Sequence, residues 1–441
     1  MQITNITTAV MESNFDWTIV KVETSDKIAG YGEAFLGPGL TAVIREFAGL
    51  LIGEQAESID RLLRRMRASC VHASPGLMYH AIGGIEAALL DAIGKKHRMP
   101  IWQILGGKYR DEVPIYADCH AGEALESITP LLLPRTPHWM REEGEAVEKR
   151  KGGGVLAPNR KHAAAALRRA RVSGKPRISV KHHGWDATGR QHLTAASYGA
   201  RAKEMAGRGF RILKFDVDVP TPYETDEYNR GLSRQEIDYA ESLVAAAAQA
   251  VGPEIGLAVD CHWNYSVDAA IGLARALEPY RLLWLEDPVP PENIRAIGEV
   301  QRNTRTTIAT GENHYHRIDF ERLIVDAGLR VLAPDVQKMG LWEGRKIADV
   351  ADMHFVNLTL HNISSPIGTL AGVHLSAAIP NLLALEWHAA SVPFFNDLVK
   401  GSPEPMIRNG KIRVPDAPGL GIELDEDVAY KYRKPGEKFF E

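Results

Sequence analysis

Ile255-Gly-Leu-Ala-Val-Asp260, Leu282-Leu-Trp-Leu-Glu286 and Thr307-Ile-Ala-Thr-Gly-Glu312 are three short apolar runs, each closed by an acid, and the acids fall 26 residues apart. The series continues with Val331-Leu-Ala-Pro-Asp335, Asn357-Leu-Thr-Leu-His361 and Leu382-Leu-Ala-Leu-Glu386, at steps of 23, 26 and 25 residues. One strand and its returning helix take about that length in a parallel (β/α) barrel of roughly 250 residues, whose chemistry sits at the strand C-terminal ends. Charged side chains are rarely buried unpaired, so core packing does not account for the pattern. The spacing therefore predicts an α/β barrel with a reactive rim.

Upstream, Val113-Pro-Ile-Tyr-Ala-Asp118 reads as the first barrel strand and Phe210-Arg-Ile-Leu-Lys-Phe-Asp216 as the second. The helix between them is expected near 195–209, which leaves 124–190 as an insertion rich in Arg and Lys. Loops of that length are lids, assembly arms or linkers. Helices are expected at 234–251, 267–277, 292–303, 320–327, 343–351 and 366–378. Residues 1–111 read as a separate α+β unit. Its strand Thr18-Ile-Val-Lys-Val-Glu-Thr alternates with period two, and its helix Ala81–Gly94 is rich in small residues. Residues 112–394 would be the barrel, and the Pro- and Gly-rich tail 395–441 would pack back on the first unit.

Composition narrows the class. The chain has 441 residues, 45% of them hydrophobic and 24% charged, with net charge −4. There is no basic field for nucleic acid, and no apolar run approaches the ~18 residues of a membrane span. The N-terminus lacks a basic region followed by an apolar stretch. The three cysteines, Cys70, Cys119 and Cys261, are scattered and form no zinc or disulfide spacing. A cytoplasmic protein acting on small molecules is expected.

Three carboxylates on successive strand ends repel one another unless a hard divalent cation joins them. Asp260, Glu286 and Glu312 are therefore expected to hold one Mg2+ per subunit, with Asn313 orienting the last ligand. Asp335 beside His361 makes an acid-supported base. Glu386 could donate a hydrogen bond if its pKa is raised. His262, two residues past Asp260, would share its face, and Lys214 and Asp216 would share another. His314, His316 and His388 follow strand ends and could reach substrate hydroxyls. His120 is a candidate for the cavity wall, and the pair His182-His183 lies in the insertion. Lys338, in a turn, is expected to be structural.

Gly30-Tyr-Gly-Glu-Ala, Gly84-Ile-Glu-Ala-Ala-Leu-Leu-Asp-Ala, Leu105-Gly-Gly, Leu285-Glu-Asp-Pro288, Gly311-Glu-Asn313 and Pro334-Asp-Val-Gln-Lys-Met-Gly340 together resemble the enolase superfamily, mandelate racemase subgroup. The resemblance implies a modified TIM barrel, (β/α)7β, under an α+β N-terminal capping domain. It implies Mg2+ on Asp260, Glu286 and Glu312, and an Asp335–His361 dyad that removes the proton α to a carboxylate. Lys214-Phe-Asp216 departs from the subgroup's frequent Lys-x-Lys, while Asp260-Cys-His262 resembles the galactonate- and gluconate-type acid-sugar dehydratases, in which the equivalent histidine protonates the departing 3-hydroxyl. The insertion is a second departure.

The expected activity is Mg2+-dependent dehydration of a five- or six-carbon aldonate to a 2-keto-3-deoxy acid. Its partners would be a small-molecule acid sugar, no nucleic acid and no membrane, and the protein would be a homo-oligomer. The loop Asn14-Phe-Asp-Trp17 and the stretch His72–Met78 of the cap would close over the substrate. The alternatives are a racemase or epimerase using His262 and His361 as opposed bases, and a non-catalytic binder of sugar acids.

Overall fold

The computed structural model describes residues 1–73, 75–119, 127–128, 134–135, 137–140, 193–223, 226, 228–388 and 392–441. His120, the His182-His183 pair and nearly all of 124–190 lie outside the described residues. Among the described residues no helix is long and apolar enough to cross a membrane.

The first unit opens with an antiparallel meander: β1 (Ile3–Glu12), β2 (Asp16–Thr24) and β3 (Ala29–Ala34). The alternation in β2 predicts a strand with one wet face, yet almost every residue of it is buried. Both faces are covered. Helix α1 (Leu77–His97) lies on the sheet, and Phe394 and Phe395 pack edge-on against Trp17. The small residues of α1 permit this contact: a Cβ at Gly32 would overlap the backbone of Gly84 and Ala88. Residues near the C-terminus complete the unit through bridges of Ala9 with Phe439 and of Met11 with Arg433.

Eight parallel strands then close a ring. They are β4 (Glu112–Asp118), β5 (Ile212–Asp216), β6 (Gly256–Asp260), β7 (Trp284–Glu286), β8 (Ile308–Thr310), β9 (Val331–Leu332), β10 (Asn357–Leu360) and β11 (Leu382–Trp387). Pairing of Glu386 with Tyr116 and of Trp387 with Ala117 seals β11 to β4. Each of the first seven strands is followed by helix and the eighth by the tail, so the fold is (β/α)7β. The helices start on local signals. Ser233 and Glu236 form a capping box before Arg234–Val251, and Ser266, Asn293 and Ser365 accept a backbone N–H at theirs.

Strands β8 and β9 are shorter than the apolar runs predict, whereas β10 takes up its whole run. Glu312 and Asp335 stand two and three residues past their strands and His361 directly follows β10, while backbone bonds from the Ala333 N–H to the Thr310 carbonyl and from the His361 N–H to the Pro334 carbonyl, at 3.2 Å, still tie these ends together. Lys411–Arg413 of the tail pairs antiparallel with β4, so the tail braces the barrel as well as the first unit. Inside the ring, Tyr116 meets Trp284 edge-on at 5.3 Å, and with Ala258, Ala309, Val331 and Ala384 they form a packed layer. That layer is a floor, and the acids stand above it.

Candidate active site

Register builds the rim. Asp216 pairs with Asp260, and Asp260 with Glu286, so three neighbouring strands bring three acids abreast. All three are buried. The Lys214 ammonium lies among the carboxylates, 2.8 Å from Asp260 Oδ2, 3.3 Å from Glu286 Oε2, 2.8 Å from Glu386 Oε1 and 3.7 Å from Asp118 Oδ2. Burial opposes a charged lysine, but Asp260, Glu286 and Glu386 outweigh it and hold its pKa well above the usual lysine range. Lys214 is therefore the electrostatic hub of the floor.

The donor set suits a hard cation. Glu286 Oε1 is buried with no hydrogen-bond partner among the described residues, and oxygens of Glu286, Asp287 and Glu312 lie within 4.8 Å of one another. Asp260, the third expected ligand, is turned toward Lys214 and accepts the His262 backbone N–H at 3.1 Å. Asp287 is a residue the sequence reading did not single out, although it stands in the quoted Leu285-Glu-Asp-Pro288 run. Burial and the charges of Glu312 and Asp260 push its carboxyl up to about 8, and it accepts the Thr310 hydroxyl.

His361 is gripped from two sides. Its Nδ1 lies 2.7 Å from Asp335 Oδ2, and its Nε2 lies 2.6 Å from Glu312 Oε2 and 3.8 Å from Glu386 Oε2. The other Asp335 oxygen accepts the Gln337 backbone N–H at 2.7 Å, which fixes the carboxylate. Glu386 accepts the Asn362 N–H, and burial pushes its pKa up to about 7.

A second histidine stands just past the end of β6, four strands round the ring from β10. His262 Nδ1 lies 3.1 Å from Asp218 Oδ1, and Asn264 donates to Asp218 Oδ2 at 2.7 Å. Strand alternation does not deliver His262 as the sequence reading expects. The strand stops at Asp260, and His262 and Trp263 take left-handed φ of 41° and 62°. Asp218 was missed, although Lys214-x-Asp216-x-Asp218 continues period two beyond the strand.

The other expected contacts divide. Asn313 bridges Glu312 Oε1 and the Lys338 ammonium, so Lys338 stands at the rim rather than serving only its turn. His388 Nε2 lies 3.2 Å from Asp118 Oδ2, and Asn14 of the first unit donates to the His388 carbonyl. His316 caps its helix and lies 3.7 Å from Glu343, away from the rim. His314 packs edge-on against Phe320. Trp17 is 1% exposed and belongs to the aromatic packing against Phe394 and Phe395, its indole N–H donating to the Ile363 carbonyl. Other residues of the first unit lie nearer to His361. Phe35 lies 6.1 Å from the His361 ring, and His80 stacks on Tyr315. In the stretch His72–Met78, His72 is exposed and Leu77 and Met78 are half-buried; Ser74 is outside the described residues.

Comparison with known proteins agrees with this architecture. Residues 4–106 match the mandelate racemase / muconate lactonizing enzyme N-terminal domain, and residues 197–428 match the enolase C-terminal domain-like family. A D-xylonate dehydratase of Haloferax volcanii is 35% identical over 100% of this chain and 91% of its own length. A D-galactonate dehydratase of Ralstonia nicotianae is 26% identical over 97% of this chain and 93% of its own length. The crystal structure of a mandelate racemase/muconate lactonizing enzyme-like protein from Rubrobacter xylanophilus superposes with a TM-score of 0.81 at 33% identity, covering 100% of this chain and 99% of the other. The chain belongs to the mandelate racemase / muconate lactonizing enzyme family of the enolase superfamily.

Proposed function

We propose that the protein is a lyase that dehydrates a five- or six-carbon aldonate to a 2-keto-3-deoxy acid. The observation that carries the reading is the pair of acid-supported imidazoles, Asp335–His361 and Asp218–His262, on opposite sides of one acidic rim. The two curated relatives, both named as dehydratases, support the same class. In this reading residues 1–111, completed by 395–441, cap a catalytic barrel of 112–394.

Asp260, Glu286 and Glu312 would hold the divalent cation, Mg2+, with Asp287 beside them. When bound, that ion neutralises the substrate carboxylate and acts on it as a Lewis acid. His361 removes the C2 proton with Nε2, because Asp335 holds Nδ1. Glu386, raised to about 7 by burial, can donate a hydrogen bond to an enediolate oxygen. His262 gives a proton to the 3-hydroxyl as the C3–O bond breaks and water leaves. The enol product then tautomerises to the keto acid. Lys214, Asn313 and His388 orient the carboxylate and hydroxyls from below and beside.

The test is a panel of C5 and C6 aldonates, D-xylonate and D-galactonate included, assayed for 2-keto acid with Mg2+ and with excess chelator. Keto acid from at least one member, lost on chelation, is expected. No keto acid from any member, or full rate under chelation, overturns the reading. Solvent deuterium entering C2 without keto acid would favour the racemase or epimerase alternative, which uses the same two histidines.

A further inference from the structure

Among the buried acids of the first unit, away from the rim, are Glu33 on β3, and Glu86 and Asp91 on α1. Two of them reach into the barrel. The Glu33 carboxylate accepts the Ser365 backbone N–H at 3.1 Å, the Ser365 hydroxyl at 2.5 Å and the Gly368 N–H at 3.1 Å. Ser365 is the N-cap of the helix Pro366–Ala378, so the Glu33 carboxyl meets the buried N–H groups at that helix's start; burial pushes its pKa up to about 7, against the pull of these donors. Glu86 accepts the Trp342 N–H at 2.5 Å, at the start of the helix Leu341–Met353. The approach needs glycine, since a Cβ at Gly340, whose φ is 91°, would overlap the Glu86 carboxylate.

These two helices follow the strands that carry the dyad. Ser365 comes four residues after His361, and the segment between is held throughout. Asn362 donates to Glu386 and Thr369, the Ile363 carbonyl accepts from Trp17, and Ser365 is held by Glu33. Gly340 ends the turn that Asp335 begins, and the Gln337 carbonyl in that turn accepts the Phe35 N–H at 3.2 Å. The first unit thus grips both segments that set the 2.7 Å contact of Asp335 with His361.

We infer that Glu33 and Glu86 are positioning residues for the Asp335–His361 pair, so that the cap sets the geometry of the base instead of only covering the substrate. The inference rests on the reading of His361 as the base. It also means that this face of the cap does not lift during turnover. A shift of about 1 Å in a reacting group can cost on the order of 100-fold in rate, which gives the fastening its functional weight.

The experiment compares Glu33→Gln, Ser365→Ala, Asp91→Asn and His361→Asn in the full-length protein, on whichever aldonate of the panel turns over fastest. Glutamine keeps the shape but cannot accept at both oxygens. For Glu33→Gln a fall in kcat of about 30-fold is expected, with KM within about threefold and C2 exchange falling in parallel. Ser365→Ala, which removes only one hydroxyl, should fall about fivefold and keeps the test open if Glu33→Gln does not fold. Asp91 joins Tyr31 to Leu420, away from the dyad, so Asp91→Asn should lower Tm and leave kcat and KM unaltered. In the free enzyme, the downfield Nδ1–H proton resonance that His361→Asn removes should shift in Glu33→Gln and stay in Asp91→Asn. If Glu33→Gln and Ser365→Ala keep kcat within about threefold while His361→Asn abolishes it, the inference fails and the base reading stands. If Asp91→Asn costs as much kcat as Glu33→Gln, the effect is general loosening and the inference also fails. If His361→Asn keeps full C2 exchange, it is the base reading that falls, and an unmoved resonance in Glu33→Gln would remove the positioning role as well.

Discussion

The two Asp–His pairs look alike in chemistry and differ in how they are held. The Asp335–His361 pair is buried, Asp335 is fixed by a backbone N–H, and both chain segments behind it are fastened to the first unit. The Asp218–His262 pair stands on a left-handed turn with the His262 side chain 15% exposed, and its aspartate is held by Asn264 from the next loop. One pair has its geometry set from several directions. Among the described residues, the other is held by the loops that carry it. A base that must take a carbon-bound proton gains most from a fixed near-attack position, whereas an acid that meets a departing hydroxyl tolerates more play.

His361→Asn should break the comparison most severely. Loss of both turnover and C2 exchange is expected, about 10⁴-fold, the upper end of what one general base contributes. Deuterium wash-in at C2, followed by proton NMR, measures it, and surviving exchange would mean that the tightly held histidine is not the base. Glu286→Gln comes next because it removes a charge from the rim that both pairs share. Turnover should fall by about 10³-fold, above the roughly 10–100-fold cost of disturbing a metal's outer shell, with Mg2+ affinity falling in calorimetric titration. Unchanged Mg2+ affinity would remove Glu286 from the ligand set.

His262→Asn sharpens the contrast. Dehydration should slow by about 100-fold while C2 exchange continues, since the intermediate can be reprotonated. Loss of exchange here with its survival in His361→Asn would reverse the two roles. The smallest effect is expected from Asp218→Asn, about tenfold on dehydration and none on exchange, because it disturbs the tautomer and tilt of His262 without removing it. An effect as large as that of His262→Asn would show that both pairs are equally constrained, and the comparison would collapse.

The fold and the front of the rim were legible because they repeat. Asp260, Glu286, Glu312, Asp335, His361 and Glu386 recur at the spacing of strand plus helix, and the barrel follows from that period alone. Strand lengths were less legible, since β8 and β9 end at Thr310 and Leu332, before their apolar runs reach Glu312 and Asp335. Asp218 and Asp287 lie just past their strands, where alternation no longer predicts direction. Trp17 belongs to the loop expected to close over the substrate, yet it lies in β2 and its burial depends on Phe394 and Phe395, which no local pattern reveals. Glu33 and Ser365 stand 332 positions apart, so only the folded chain could bring them together.

The bridges of Ala9 with Phe439 and of Met11 with Arg433 have a bearing on how the protein is made. A ribosome delivers β1, β2 and β3 first, and their partners among residues 394–440 last. Until those residues emerge, Trp17 lacks Phe394 and Phe395, and the edge of β1 lacks its bridges to Phe439 and Arg433. The nascent first unit therefore waits, with an unpaired strand edge, while the whole barrel is synthesised. Pairings of such sequence separation are slow to form, and exposed edges invite association with other chains in the meantime. Shielding of that early segment during synthesis is then a demand that the finished molecule no longer displays.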